Sequence, residues 1–109
     1  MPAAQYLVFR SGESECALPL ASIREISRYH VLASRDEHGL LRGARINARG
    51  RIANVELDGR TELDNPVTCI VAELTPGTFT AYVADEIVGA KEGRGAARLL
   101  ADMRSTPAA

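Results

Sequence analysis

Residues 43–57 carry the clearest alternation of apolar and polar positions in the chain. Side chains at every second residue share one face of a β-strand, so this pattern predicts two half-buried strands. The apolar positions are Ala44, Ile46 and Ala48 on the way in and Ala53, Val55 and Leu57 on the way out. The strands join at Arg49-Gly50, where Gly50 can adopt a positive φ and one extra residue would form a β-bulge. This hairpin is expected to hold Asn47, Arg49 and Arg51 on its polar side, facing a partner.

Two shorter strands and a helix are predicted before this hairpin. Residues 6–10 are apolar and rich in β-formers, and a turn containing glycine separates them from a second strand at 15–18. Ser22 and Glu25 have the S-x-x-E spacing of a capping box, in which each side chain satisfies a free backbone N–H. This spacing predicts a short helix. Two apolar residues would share one face of it, Ile23 and Ile26.

The second half of the chain predicts one buried strand and its return. Residues 27–40 are expected to form a connector with one short strand, and the polar, turn-rich residues 58–66 a loop. Residues 67–74 are almost continuously apolar, as in a strand that is buried on both faces. Residues 75–78 contain Pro-Gly, which fits a type II turn into a further strand at 79–84.

Short strands separated by turns, with one small helix, indicate an all-β barrel rather than an α/β sheet. From Lys91 onward the composition changes to Gly, Arg and Ala. Residues 96–104 predict two turns of helix with Leu99, Leu100 and Met103 on one side, followed by a frayed end.

Composition fits a single small domain. The chain has 109 residues and 46% apolar residues but only 5% aromatic ones, so its core must be built from aliphatic side chains. A formal charge of -1 provides no field that would attract nucleic acid or an anionic membrane from a distance. No apolar run approaches the roughly 20 residues of a membrane-spanning helix, and residues 1–5 do not look like a signal peptide. We therefore expect a cytoplasmic protein with no membrane insertion.

No catalytic or metal-binding motif is found in the sequence. The candidate reactive residues are Cys16, Cys69, His30 and His38, and nothing in their spacing forms a C-x-x-C, an H-E-x-x-H or a nucleophile elbow. Both cysteines lie in apolar strand contexts, which is typical of reduced thiols in a core. We expect no enzyme activity, no metal and no cofactor.

The arginines of the hairpin suggest an alternative function. Arg42, Arg45, Arg49 and Arg51 make it locally basic, and small β-barrels bind nucleic acid along such faces. Single-strand readers also need aromatic side chains on which bases stack, and no Tyr or Phe lies between Leu32 and Phe79. Nucleic-acid binding by the hairpin is therefore the alternative, and a protein partner is the expectation.

The turn Asn47-Ala48-Arg49-Gly50 resembles a motif of the CheW-like family, the adaptors that couple chemoreceptors to the chemotaxis kinase. Family members carry Asn-Leu-Arg-Gly between two strands, and this chain has Ala in place of Leu. The likeness continues in the family's order. Residues 6–9 and 18–26 resemble its opening strands and short helix, and residues 70–73 and 79–89 resemble its later strand pair.

The resemblance implies a fold of two small SH3-like β-barrels packed together, with one short helix. It covers residues 1–93 as a CheW-like domain and leaves 94–109 as a short helical or disordered tail. Full CheW-like domains are longer, so the C-terminal elements are expected to be shortened or missing here, as in the small CheW-like proteins of gliding-motility systems.

The resemblance also implies a function and a site. The expected partners are the signalling tip of a chemoreceptor and a CheA-type histidine kinase, with kinase binding reduced or lost. Residue by residue, the receptor-binding positions are Ile23, Glu25, Asn47, Arg49 and Gly50. An exposed strand edge in the shortened barrel, expected at Phe79 to Val83, would allow self-association.

Overall fold

β-Strands make up most of residues 5–57 and 59–92, which are the residues that the computed structural model describes. The strands are β1 (Gln5–Ser11), β2 (Ser14–Pro19), β3 (Ile23–Tyr29), β4 (Leu32–Arg35), β5 (Leu41–Ala48), β6 (Arg51–Glu56), β7 (Val67–Thr75), β8 (Thr78–Val83) and β9 (Glu86–Glu92). The 3₁₀ turn Leu20–Ser22 is the single helical element of these residues. The expected all-β class is confirmed.

The strands form two sheets. One has three strands in the order β2-β1-β9, and the other has six in the order β3-β7-β8-β6-β5-β4. Neighbouring strands are antiparallel except β6 and β8, which are parallel. A parallel pair requires a crossover, and the chain makes it by leaving β6 for β7 before it returns as β8.

Strand β7 joins two hydrophobic cores. Its residues 69–72 are all buried, as the near-continuous apolar run predicted. Ile70 and Ala72 pack with β1 and β2 in the first core, whereas Cys69 and Val71 pack with the β5–β6 hairpin in the second. Alternate side chains of one strand therefore link the two halves of the molecule.

The β5–β6 hairpin bends at Arg49-Gly50 as predicted, but without a bulge. Ala48 pairs directly with Arg51, and both turn residues have positive φ, 54° at Arg49 and 84° at Gly50. These are the features of a two-residue type I′ turn, whose own geometry shifts the alternation. Because directly paired residues share a face, Arg51 lies on the face of Ala48 and not on that of Asn47. The prediction that Arg51 stands beside Asn47 is wrong.

The helix predicted from the Ser22–Glu25 spacing does not form. Helical geometry is confined to Leu20–Ser22, the Ser22 hydroxyl donates to the Pro19 carbonyl at 2.7 Å, and Ile23 starts a strand. Pairing of β3 with β7 outweighs the local capping signal, because isoleucine packs well on a half-buried sheet. The register shift between Ile23 and Glu25 leaves Ile23 and Ile26 on one face, opposite Ala72 and Ile70.

Strand β8 is not a sheet edge. It lies between β7 and β6, so the expectation of an exposed edge at Phe79 to Val83 is wrong. The edges among the described residues are β2 and β9 of the smaller sheet and β3 and β4 of the larger one. Sheet order depends on contacts between distant segments, which the pattern within one strand does not encode.

Residues 27–40 contain the end of β3 and all of β4, so this connector holds more strand than expected. The predicted tail at 94–109, with its helix at 96–104, lies outside the described residues. Within the described ranges there is no helix long and apolar enough to cross a bilayer.

Candidate partner-binding groove

An open groove of about 460 Å³ lies on the larger sheet, between the edge strand β3 and the tip of the β5–β6 hairpin. Apolar side chains of β5, β7 and β8 contribute to its lining: Ala48, Val71 and Phe79. Charged side chains complete the lining: Arg24, Glu25, Arg49, Arg51 and Glu73. The groove therefore combines apolar surface with charges of both signs.

Glu25 and Arg49 form an ion pair at this groove. The Oε2 atom of Glu25 lies 2.8 Å from Nε of Arg49, and the Tyr29 hydroxyl donates to the other carboxylate oxygen. The Glu25 side chain is only 18% exposed, whereas that of Arg49 is 86% exposed. The carboxylate is thus held in place while most of the guanidinium faces solvent, where it can donate to a second acceptor.

Asn47 and Gly50 build the turn that presents Arg49. The Asn47 Oδ1 atom accepts the Gly50 N–H at 2.9 Å, and Gly50 supplies the positive φ that the turn requires. Arg49 itself has a φ of 54°, which is uncommon for a residue with a long side chain. The sequence-predicted residues Asn47 and Gly50 therefore act on the backbone, and Arg49 supplies the side chain.

A second ion pair lies across the groove on β3 and β7. Nε of Arg24 is 3.1 Å from Oε1 of Glu73, and the other Glu73 oxygen accepts the Gly77 N–H at 2.6 Å. The Gly77 N–H and then Arg24 lower the pKa of Glu73 below its ordinary value, with a smaller contribution from Arg51. Glu73 is therefore a carboxylate at neutral pH and balances the arginines around it.

Arg51 packs over an aromatic ring in the groove. Its guanidinium carbon lies 4.7 Å from the centroid of Phe79, within the range of a cation–π contact. Sequence reasoning missed Arg24, Glu73 and Phe79 as groove residues. The position of Arg51 in the groove follows from the two-residue turn, which pairs Arg51 with Ala48.

Ile23 does not join the other predicted site residues. It is half-buried and packs against the first core, and it is absent from the groove lining. Ile26, which shares its face, is 43% exposed. The structure thus brings Glu25 and Arg49 together, places Asn47 and Gly50 behind them, and leaves Ile23 apart.

Most of the arginines behind the nucleic-acid alternative already have partners. Arg42 pairs with Asp36 at 3.1 Å, Arg49 pairs with Glu25, and Arg51 lies on Phe79.

The two cysteines are buried and form no disulfide. Burial raises the pKa of the Cys69 thiol to about 11, so it is protonated at neutral pH and a poor nucleophile. Within the part of the chain that the structure describes, no group of three or more His, Cys, Asp or Glu side chains is placed to hold a metal ion.

The described residues thus form a small all-β domain, with two sheets around two cores that share strand β7. This architecture is similar to the crystal structure of the scaffolding protein TtCheW from Thermoanaerobacter tengcongensis, with a TM-score of 0.57. The two chains are 17% identical, and the match covers 84% of this chain and 66% of that one. No family model and no curated protein matches the sequence. The chain therefore has a CheW-like fold and spans about two thirds of the length of that scaffold.

Proposed function

We propose that this protein is a non-enzymatic adaptor of a bacterial chemosensory pathway. It acts in the cytoplasm, binds the signalling tip of a chemoreceptor, and connects that receptor to a CheA-type histidine kinase. The observation that carries the proposal is the Glu25–Arg49 pair at the groove, on a fold shared with a scaffolding protein. Gliding motility is a second setting for such an adaptor, and the receptor that binds would distinguish the two.

The lining of the groove suits the tip of a helical hairpin. Phe79 and Ala48 are half-buried and offer apolar surface to an anchoring side chain, which would supply most of the affinity. The exposed part of Arg49 can donate to a polar group of the partner and fix its orientation. An exposed ion pair by itself contributes only about 0–1 kcal/mol to stability, so Glu25 and Arg49 matter here for geometry.

The role of Glu25 is to orient the Arg49 side chain. Glu25 is mostly buried, accepts a hydrogen bond from the Tyr29 hydroxyl and forms an ion pair with Arg49, so it has little freedom to move. An arginine held at Nε still presents its terminal nitrogen atoms to a partner. The receptor contact is therefore expected to depend on Arg49 directly and on Glu25 through Arg49.

Binding of the purified chain to two separate fragments tests this function. One is a soluble chemoreceptor signalling-tip fragment, and the other is the regulatory domain of a chemotaxis histidine kinase, each titrated by calorimetry. Binding to both supports an adaptor, and binding to the receptor alone supports a receptor-bound modulator. Binding to neither contradicts the proposal. Measuring the binding at rising salt concentration distinguishes a protein partner from the nucleic-acid alternative, because binding to phosphates weakens steeply with salt.

A further inference from the structure

Strand β9 leaves apolar surface uncovered at the rim of the smaller sheet. Among the described residues it pairs only with β1. Ile87 lies directly opposite Phe9 and so shares its face, yet Phe9 is fully buried whereas Ile87 is 42% exposed. The neighbouring Val88 is 43% exposed. The apolar face that buries Phe9 therefore continues onto β9 without a covering element among the described residues.

A bulge in β9 changes the direction of its backbone groups. The register shifts so that Phe9 faces Ile87 while Val8 faces Gly89, which leaves Val88 as an extra residue. In a regular strand, residues 86 and 91 would direct their N–H and C=O groups to opposite edges, because they are an odd number of positions apart.

With the bulge, residues 86 and 91 direct their backbone groups to the same edge of the strand. Their counterparts on β1 are Arg10 and Tyr6, which are an even number of positions apart. Glu86 and Lys91 therefore direct their backbone groups to the same edge and their side chains to the same face. Ile87 and Ala90 lie opposite Phe9 and Leu7, which are also an even number of positions apart. These two residues therefore share a face and an edge as well.

This arrangement makes β9 complementary to itself. If two copies pair β9 antiparallel about a two-fold axis, Glu86 of each can face Lys91 of the other, and Ile87 can face Ala90. Neither Glu86 nor Lys91 has a hydrogen bond or an ion pair with another described residue. This register is centred on Gly89, because its counterpart Val8 lies midway between Arg10 and Tyr6 on β1.

We propose that the protein forms a symmetric homodimer through β9, in which the two three-stranded sheets join into one six-stranded sheet. The pairing satisfies the free backbone groups of β9, matches two Glu86–Lys91 contacts by charge, and covers Ile87 in both copies. Two of the other edges are less suited to it. Strand β2 ends at Pro19, which has no N–H, and β4 has only four residues.

The dimer is expected to be weak, because a single strand pair buries less than a standard interface of about 1,600 Å². Sedimentation velocity of the full chain, up to about 1 mM, should show a reversible monomer–dimer equilibrium. Charge-reversal variants test the register. Glu86→Lys or Lys91→Glu alone should weaken the dimer about tenfold or more, since each alters both symmetric contacts.

Two combinations of these changes make the test specific. The double variant Glu86→Lys/Lys91→Glu restores both contacts and should dimerise like the natural chain. A mixture of the two single variants should form a heterodimer, because opposite charges then face each other at both contacts between positions 86 and 91. Glu37→Lys, an equal charge change at the β4–β5 turn of the other sheet, should have no effect.

A chain that stays monomeric at all concentrations would overturn the proposal, as would charge reversals without effect or a double variant that is not restored. The monomeric outcome includes the case in which residues 93–109 cover the β9 edge within one chain. The groove lies on the larger sheet, so receptor binding by these variants is measured separately. Dimerisation can be absent while receptor binding is kept, and receptor binding can be absent while dimerisation is kept.

Discussion

The Nε atom of Arg49 lies 2.8 Å from the carboxylate of Glu25, although two strands separate the elements that carry them. Glu25 is on the edge strand β3, and Arg49 is at the tip of the β5–β6 hairpin, with β7 and β8 between. In a flat sheet, three inter-strand steps of about 4.8 Å would separate β3 from β6 by about 14 Å. The ion pair therefore joins two elements that are not neighbours in the sheet, across the groove that β7 and β8 help to line.

The first prediction concerns the side chain of Arg49. Arg49→Asn removes the guanidinium but keeps a residue that tolerates positive φ, so the turn should survive. We expect binding to the chemoreceptor fragment to weaken about tenfold or more, with little change in melting temperature. Arg49→Glu should weaken binding further, because it places a second carboxylate beside Glu25. Calorimetric titration and thermal unfolding of the same samples measure both quantities.

Arg45→Gln is the matched control for this experiment. It removes a positive charge from the same hairpin. Arg45 lies opposite Asn54 in the sheet register and does not line the groove. It should leave receptor binding unchanged. If Arg45→Gln weakens binding as much as Arg49→Asn, the contact is general attraction to a basic hairpin. If Arg49→Asn lowers stability and binding together, Arg49 has a structural role only.

The second prediction concerns the backbone at Gly50. Its φ is 84° and a Cβ there would meet nothing within 4 Å, so the cost of a side chain is conformational rather than steric. Gly50→Ala should lower the free energy of unfolding by about 1–2 kcal/mol, which urea denaturation can measure. Gly50→Asn should cost less, because asparagine enters the left-handed region more readily. Equal losses in the two variants would show that the turn does not require this conformation.

The hairpin was predictable because its determinants are local. Alternation in residues 43–57 and one glycine are enough to specify two strands and a bend. The helix predicted at Ser22 fails for the opposite reason. Its capping signal is local, but Ile23 and Ile26 gain more by pairing with β7, which lies far along the chain. The position of β8 inside the sheet likewise depends on its pairing with β6 and β7.

The groove residues were predictable only where the sequence carried a motif. Arg49 was found through its turn and Glu25 through the family resemblance, and the structure places them in contact. The order of the strands in the sheet brings three further residues to the groove: Arg24, Glu73 and Phe79. No short sequence motif encodes that order. Arg51 was assigned to the wrong face, because a bulge was assumed where a two-residue turn is present.

The third prediction is a pH dependence that originates at Asp85. Its carboxylate accepts the Gly12 N–H at 2.6 Å and pairs with Arg60, which also donates to the Ser11 hydroxyl at 3.1 Å. Arg60 first, and the Gly12 N–H as well, lower the pKa of Asp85 below 3.8 although partial burial opposes them. The folded state therefore favours the carboxylate. This contribution is present above pH 3.8 and is lost as the pH falls through the lower folded pKa.

Asp85→Asn should accordingly destabilise the protein at neutral pH, by about 1 kcal/mol. The difference from the natural chain should shrink as the pH falls below 3.8, because protonation removes the same charge. Urea denaturation at neutral and acidic pH measures this difference. Asp64→Asn is the control, since Asp64 is exposed and has no partner among the described residues. A difference that does not change with pH would contradict a role for the Asp85 charge.

The fourth prediction is that the two cores unfold together. Strand β7 contributes Ile70 to the first core and Cys69 to the second, so loss of β7 exposes both. Each core also holds one buried cysteine thiol, Cys16 in the first and Cys69 in the second. Thiol labelling in increasing urea therefore reports on each core separately, and the two cysteines should become reactive at the same midpoint.

Variants in each core make this test decisive. Ile70→Val removes one methylene group from the first core, and Ile46→Val does the same in the second, at a cost of about 0.5–1.5 kcal/mol each. In a single cooperative unit, either variant should lower the labelling midpoint of both cysteines equally. If Ile70→Val shifts Cys16 alone and Ile46→Val shifts Cys69 alone, the sheets are independent units. The shared strand would then fail to couple them, and the groove would form without the smaller sheet.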